Sequence, residues 1–233
     1  MNLLAETAAA WGLPLDQRQL DQFATYAAEL RRWNERLNLT AITGEREIVT
    51  RHFLDSLRCA LSWGAAPRSL VDIGSGAGFP GVPLKILCPE LRLALVESIE
   101  KKAAFLRHMV TMLGLSEVTI IVGRAEIAGR DTAHREQYDV AAARAVAELR
   151  VLAEYCLPLC RVGGRFLAPK GARIEHEVQD ARPAITALGG RLATVEQVDL
   201  PNVEQRTLVI VEKIAPTPPQ YPRGVGVPAK RPL

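Results

Sequence analysis

The sequence predicts an α/β fold, a mostly parallel seven-stranded sheet with helices on its faces and an N-terminal helical cap. Three features carry that expectation. Short apolar runs alternate with helix-like stretches through the middle of the chain, a glycine-rich turn follows the first such run, and the last two runs are joined by a short loop without a helix. Strands alternating with helices build βαβ units, because a parallel neighbour is reached only by a crossover.

The first third reads as helical. Leu20, Phe23, Ala27, Leu30 and Leu37 recur at helical spacing behind a capping residue at Asp16. A second helix is expected from His52 to Trp63, ended by Gly64 and Pro67. Strands are then expected over Ser69–Ile73, Leu91–Val96, Val118–Val122, Tyr138–Ala143 and Arg165–Pro169. Helices follow Phe79 and cover Lys101–Leu113, Glu148–Cys160 and Ile174–Leu188. Arg191–Val198 and Arg206–Glu212, linked by a loop with Pro201 and Asn202, give an antiparallel pair at the end of the sheet. Six prolines in the last twenty residues make that tail extended or irregular. The chain divides into a cap (1–66), a sheet domain (67–213) and a Pro-rich basic tail (214–233).

The 233 residues are 48% hydrophobic and 24% charged, the balance of a globular protein that buries a core without disulfides or metal. The net charge of +3 equals the contribution of Arg223, Lys230 and Arg231 in a tail with no acidic residue, which suits a polyanion partner. Cys59, Cys88, Cys156 and Cys160 have no disulfide spacing. Cys156 and Cys160 lie four apart in an expected helix, but no second pair or nearby His completes a metal site, so no metal is expected and the four read as buried thiols. The N-terminus lacks a basic n-region and carries Glu6 within its apolar run, and no run reaches the length of a membrane span. A cytoplasmic, monomeric protein without a membrane partner is expected.

The chemistry centres on Asp72-Ile73-Gly74-Ser75-Gly76-Ala77-Gly78-Phe79-Pro80-Gly81, where an apolar strand ends in a carboxylate, a glycine turn and a helix. Glycine lets backbone approach a ligand closely, and the helix start offers free N–H groups. Two ligand classes fit. Gly76-x-Gly78-x-x-Gly81 satisfies the dinucleotide fingerprint, whereas Asp72-x-Gly74-x-Gly76-x-Gly78 matches the first motif of methyltransferases, whose loop holds a methionine moiety. Glu97 closes the next strand and can accept both ribose hydroxyls in either class. No Walker pattern occurs, and Ser75 is not the centre of a Gly-x-Ser-x-Gly elbow. His52 and Asp55, three apart on one helix, read as a surface or capping hydrogen bond.

The chain resembles the bacterial 16S ribosomal RNA guanine-N7 methyltransferases of the glucose-inhibited division protein B type. The resemblance covers nearly its whole length, through Trp33–Thr40, Arg51–Leu57, Asp72–Gly81, Lys101–Leu106, Gly123–Glu126, Arg144–Val146, Lys170-Gly171, Tyr221–Gly224 and Pro228–Leu233. It implies a class I, Rossmann-like methyltransferase domain using S-adenosylmethionine, with 16S ribosomal RNA, within the small subunit or a precursor, as partner. The implied cofactor residues are Asp72, Gly74, Gly76, Gly78, Phe79, Glu97, Ser98, Ala125, Glu126 and Arg144. Arg144 and Lys170 are candidates for orienting the substrate; Arg124, Lys170, Arg206, Arg223, Lys230 and Arg231 are candidates for RNA contact. Ala143, where many members have Ser or Thr, and Gly224, where Lys is common, depart from the pattern.

The acceptor follows from what is missing. Amino-group enzymes of this fold carry an Asn/Asp-Pro-Pro-Tyr box after the fourth strand; here Asp139–Arg144 reads Asp-Val-Ala-Ala-Ala-Arg. Cytosine C5 enzymes use a Pro-Cys or Thr-Cys nucleophile, and neither dipeptide occurs. Guanine N7 requires neither, since its lone pair is free and no proton has to leave. Three other functions remain open: an O-methyltransferase of a small molecule, a nicotinamide-dependent oxidoreductase and a non-catalytic RNA-binding protein.

Overall fold

The computed structural model describes residues 1–64, 66–144 and 146–233. Strands β1 (Ser69–Ile73), β2 (Arg92–Glu97), β3 (Val118–Val122), β4 (Tyr138–Ala143), β5 (Cys160–Lys170), β6 (Gly190–Val198) and β7 (Arg206–Lys213) form one sheet in the order β3-β2-β1-β4-β5-β7-β6. Only β7 runs against its neighbours β5 and β6. The order reverses direction at β1, which pairs with β2 on one side and β4 on the other. Ligands of open α/β sheets settle at such a switch point, beyond the carboxyl ends of the strands. Here those ends deliver Asp72, Glu97 and Arg144 to one edge.

Helices α1 (Asn2–Ala10), α2 (Gln17–Leu37), α3 (Glu45–Glu47), α4 (Asp55–Arg58), α5 (Gly81–Leu87), α6 (Glu100–Met112), α7 (Ala125–Ala128), α8 (Leu149–Cys156), α9 (Glu175–Ala187) and α10 (Val227–Lys230) surround it. The N-terminal helices, with α5 and α6, cover one face, and α7, α8 and α9 the other, giving two apolar cores. Side chains alternate between them along each strand. In β1, Leu70 joins the first core and Val71 and Ile73 the second, so Asp72 points toward the cap side, beneath the glycine turn.

The Asp16 cap forms as expected: its carboxylate accepts from Gln19 N at 2.7 Å, and Gln19 Oε1 accepts from Asp16 N at 2.9 Å. Gln19 Nε2 then donates to Ile86 O, docking α2 on α5. Three expectations need correction. The second helical segment begins at Glu45, not His52, and turns π-helical over Ile48–Leu54 before α4. Cys160 opens β5 rather than closing a helix, so Cys156 and Cys160 stand on different elements. The tail is irregular as expected but carries α10. Among the described residues no helix is long and apolar enough to cross a membrane.

The glycine turn is packed as well as exposed. Gly78 has φ +95°, and an added Cβ would lie 2.7 Å from Tyr26 Oη and 2.8 Å from Val82 Cγ2. Gly78→Ala combines left-handed strain with overpacking and is expected to destabilise the fold by about 3 kcal/mol, checked by urea denaturation. A midpoint unchanged from wild type would show that the cap does not press on this turn.

Candidate cofactor and acceptor site

The turn after β1 is built from positive φ values at Gly74 (+68°), Gly76 (+57°) and Gly78 (+95°). Gly81 N donates to Asp72 Oδ2 at 2.9 Å. The other oxygen, Asp72 Oδ1, is buried with no hydrogen-bond partner among the described residues. Burial pushes the Asp72 carboxyl up to about 7; Glu97 adds to the rise, while the Gly81 amide and Arg144 oppose it. Glu97 ties the turn to β2: Oε2 accepts from Gly76 N at 2.9 Å and Oε1 from Ile99 N at 2.8 Å. Each oxygen keeps a lone pair for a hydroxyl. Ser98 is exposed beside it. Beyond β3, Ala125 and Glu126 are buried, and Glu126 Oε1 accepts from Gly226 N at 2.8 Å.

An orphan buried acceptor, a backbone cradle without Cβ atoms, a carboxylate with spare lone pairs and a further carboxylate beyond β3 fit the parts of S-adenosylmethionine: methionine ammonium, methionine backbone, ribose and adenine. Phe79, which the resemblance implies as a cofactor residue, is 5% exposed. Its buried ring stacks on His52 (centroids 4.3 Å) and Tyr26 (5.2 Å), and the Arg144 guanidinium carbon lies 4.8 Å from its centroid. The ring supports Arg144.

Arg144 follows β4 and is the hub of a buried polar cluster that the sequence did not reveal. It donates through Nη1 to Arg51 O and Asp55 Oδ2, both at 3.0 Å, and through Nη2 to His52 Nδ1 at 2.9 Å. Because Nδ1 accepts, His52 carries its proton on Nε2 and donates it to Thr40 Oγ1 at 2.8 Å. Asn34 sets Thr40 in place by accepting from Leu39 N and Thr40 N. Burial, reinforced by Arg144, depresses His52 to about 3, so the ring is neutral at physiological pH. Asp55 is also held by Arg206, at 3.4 Å. The surface or capping bond expected of His52 and Asp55 is thus replaced by a cluster with side-chain exposures of 9% at Arg144 and 3% at Asp55.

Beside this cluster opens a cavity of about 280 Å³ lined by Ile42, Arg51, His52, Arg144, Gly171, Ala172 and the segment from Val203 to Arg206. Three arginines, Arg51, Arg144 and Arg206, outnumber the one carboxylate on its wall, Glu204, and favour an electron-rich guest. Three of the five N–H donors of Arg144 are engaged. The other two have no acceptor among the described residues.

The remaining expected cations fall into two groups. Lys170 donates to Ala147 O at 2.8 Å and Glu177 Oε1 at 2.5 Å, Arg206 binds Asp55, and Arg223 forms a pair with Glu154, itself 1% exposed. These three are engaged with carboxylates. Arg124, Lys230 and Arg231 are exposed and form no ion pair among the described residues. Burial pushes the Cys156 thiol up and that of Cys160 to about 12, which keeps both unreactive.

A family model described as rRNA small subunit methyltransferase G (GidB) matches residues 19–209. Ribosomal RNA small subunit methyltransferase G of Roseiflexus sp. (strain RS-1) is 70% identical over 233 residues, covering 100% of both chains. The protein of that name from Pelotomaculum thermopropionicum is 51% identical over 242 positions, again covering 100% of both. Among solved structures, M. jannaschii TYW2 in complex with AdoMet superposes with a TM-score of 0.55 at 16% identity, over 70% of this chain and 76% of that one. A SAM-dependent O-methyltransferase from Thermotoga maritima gives 0.51 at 18% identity, over 71% and 66%. Those two likenesses show the class I methyltransferase fold. With most of its length inside the family model and relatives of that name matched end to end, the chain belongs to the rRNA small subunit methyltransferase G (GidB) family.

Proposed function

We propose that the protein methylates N7 of a guanine in 16S ribosomal RNA, using S-adenosylmethionine held over the glycine turn. The observation that carries this reading is the Arg144 cluster, which joins the cofactor edge of the sheet to a cavity lined by three arginines and whose one histidine, His52, is depressed to about 3. Asp72, Gly74 and Gly76 would hold the methionine end, Glu97 with Ser98 the ribose, and Ala125 with Glu126 the adenine. When bound, the cofactor supplies an electrophilic methyl on a sulfonium. The free N7 lone pair of guanine would accept that methyl, the carbon–sulfur electron pair would remain with sulfur, and the positive charge would pass to the base. No proton is released, so nothing has to accept one.

What the chain supplies is position and a fixed field. Neutral His52 fixes one edge of the Arg144 guanidinium, and Asp55 fixes another, leaving the free donors of Arg144 to meet guanine O6. Holding two reactants in line is worth roughly 7–11 kcal/mol of barrier, which suffices where no proton transfer is needed. The exposed cations Arg124, Lys230 and Arg231 would touch phosphate. An amino-group acceptor would need a proton acceptor beside it, and His52 at about 3 is too weak a base.

The test separates binding from chemistry. Asp72, raised to about 7 by burial, has to be ionised to face the methionine ammonium. Below about pH 7 cofactor uptake therefore displaces a proton, and kcat/KM for S-adenosylmethionine is expected to fall about tenfold per unit, levelling off above that pH. The single-turnover rate at saturation should stay nearly flat from about pH 6 to 8.5. A tenfold-per-unit rise in that saturated rate, abolished by changing Glu126 or His52, would overturn the base-free mechanism. Calorimetry should show binding of S-adenosylmethionine and none of NAD; the reverse would restore the oxidoreductase reading.

A further inference from the structure

The tail invites a different role from the polyanion contact its charge suggested. It is strapped along the second face of the sheet domain by side chains pointing at its backbone. Arg135 donates to Tyr221 O (2.7 Å) and Thr217 O (2.8 Å), and Arg130 to Pro222 O (2.7 Å). Pro222 is buried against Gly129, where an added Cβ would lie 2.9 Å from its ring. Glu154, inside the apolar helix α8, takes both the backbone N–H of Arg223 (2.7 Å) and its guanidinium (2.6 Å). A carboxylate that is 1% exposed needs such partners. The strap therefore arrives at Gly226 along a fixed path.

Gly226 has φ +77°, a left-handed conformation that aims its N–H at Glu126 Oε1, 2.8 Å away. Glu126 is 2% exposed, and its Oε2 receives no hydrogen bond from the described residues. We infer that Gly226 is a positioning residue for the cofactor site: its amide fixes the Glu126 carboxylate so that Oε2 is presented to the exocyclic amine of adenine. The inference rests on the S-adenosylmethionine reading above and adds the C-terminal strap to that site. One oxygen is anchored by the strap and the other is left to accept from the ligand. A carboxylate free to rotate would lose that orientation. By reciprocity, what the strap does for the cofactor the cofactor does for the strap.

The experiment is a thermodynamic cycle on S-adenosylmethionine affinity, measured by calorimetry without RNA. The chain ending at Val225 keeps the Arg223–Glu154 pair but lacks Gly226. Its Kd is expected to rise about tenfold over the full chain, and the same truncation in a Glu126→Ala background should change Kd by less than about twofold. An unchanged Kd on truncation, or an equal rise in both backgrounds, overturns the inference, since a merely stabilising tail acts irrespective of Glu126. On the full-length wild type, saturating S-adenosylmethionine should slow hydrogen exchange of the Gly226 amide about tenfold. Equal exchange with and without it overturns the coupling even if the truncated chain fails to fold. If the full-length wild type binds no S-adenosylmethionine, the cofactor reading itself falls. If it binds and the cycle shows no coupling, only the role of Gly226 falls.

Discussion

Arg144→Ala is expected to remove activity and much of the stability together. Asp55, 3% exposed, would keep only the longer contact to Arg206, and His52 Nδ1 would face the cavity without a donor. Breaking one partner of a buried ion pair costs about 3–5 kcal/mol, because the remaining charge stays out of water. Losing a preorganised donor at the reacting centre lowers kcat by a further factor of about 10² to 10³. Arg144→Lys separates the two effects. Its ammonium retains the charge beside Asp55 but cannot span the Arg51 carbonyl, Asp55 and His52 while still presenting donors to the cavity. Stability should largely return, with kcat still about 100-fold down. Wild-type kcat in Arg144→Lys, measured by single turnover, would reduce Arg144 to a point charge. Wild-type stability in Arg144→Ala would contradict the buried pair.

Gly76→Val is expected to abolish S-adenosylmethionine binding at accessible concentrations, a loss of about 100-fold or more, while the protein stays folded. Gly76 differs from Gly78 in what surrounds it. An added Cβ at Gly76 would meet nothing closer than Gly74 O at 3.7 Å, so the side chain would project into the space assigned to the ligand and not into the core. The φ of +57° costs a β-branched residue about 1–2 kcal/mol, which a domain of this size tolerates. Calorimetry together with a thermal melt checks both halves. Unchanged affinity would move the cofactor off this turn.

The sheet was legible because its pattern is local. β1, β3 and β4 fall where apolar runs end at Asp72, Val122 and Arg144, and the capping box at Asp16 is set by residues three apart. The Arg144 cluster was not, because its members lie far apart in the chain: Arg144 meets His52 and Asp55 from about ninety residues away. One signal was present. Ile48, Val49, Phe53, Leu54 and Leu57 surround His52 and Asp55 on most sides of the helix, which marks a buried segment whose polar residues must find partners. The pairing of Arg223 in the tail was hidden for a related reason. The tail's cations are visible in sequence, but the carboxylate that claims Arg223 sits in the apolar run Val151–Cys156, and only the fold joins the two. Glu154 announces that it needs a partner without saying which.

Methyl transfer from tritiated S-adenosylmethionine to unmodified small ribosomal subunits, followed by mapping of the labelled nucleotide, tests the function most directly. The expected result is label in 16S ribosomal RNA at one guanosine, recovered as the N7-methyl nucleoside, with the strand made cleavable there by reduction and aniline. Label on an exocyclic amine, a ribose hydroxyl or another base would contradict the base-free transfer built around Arg144, and transfer to no ribosomal RNA would contradict the function itself.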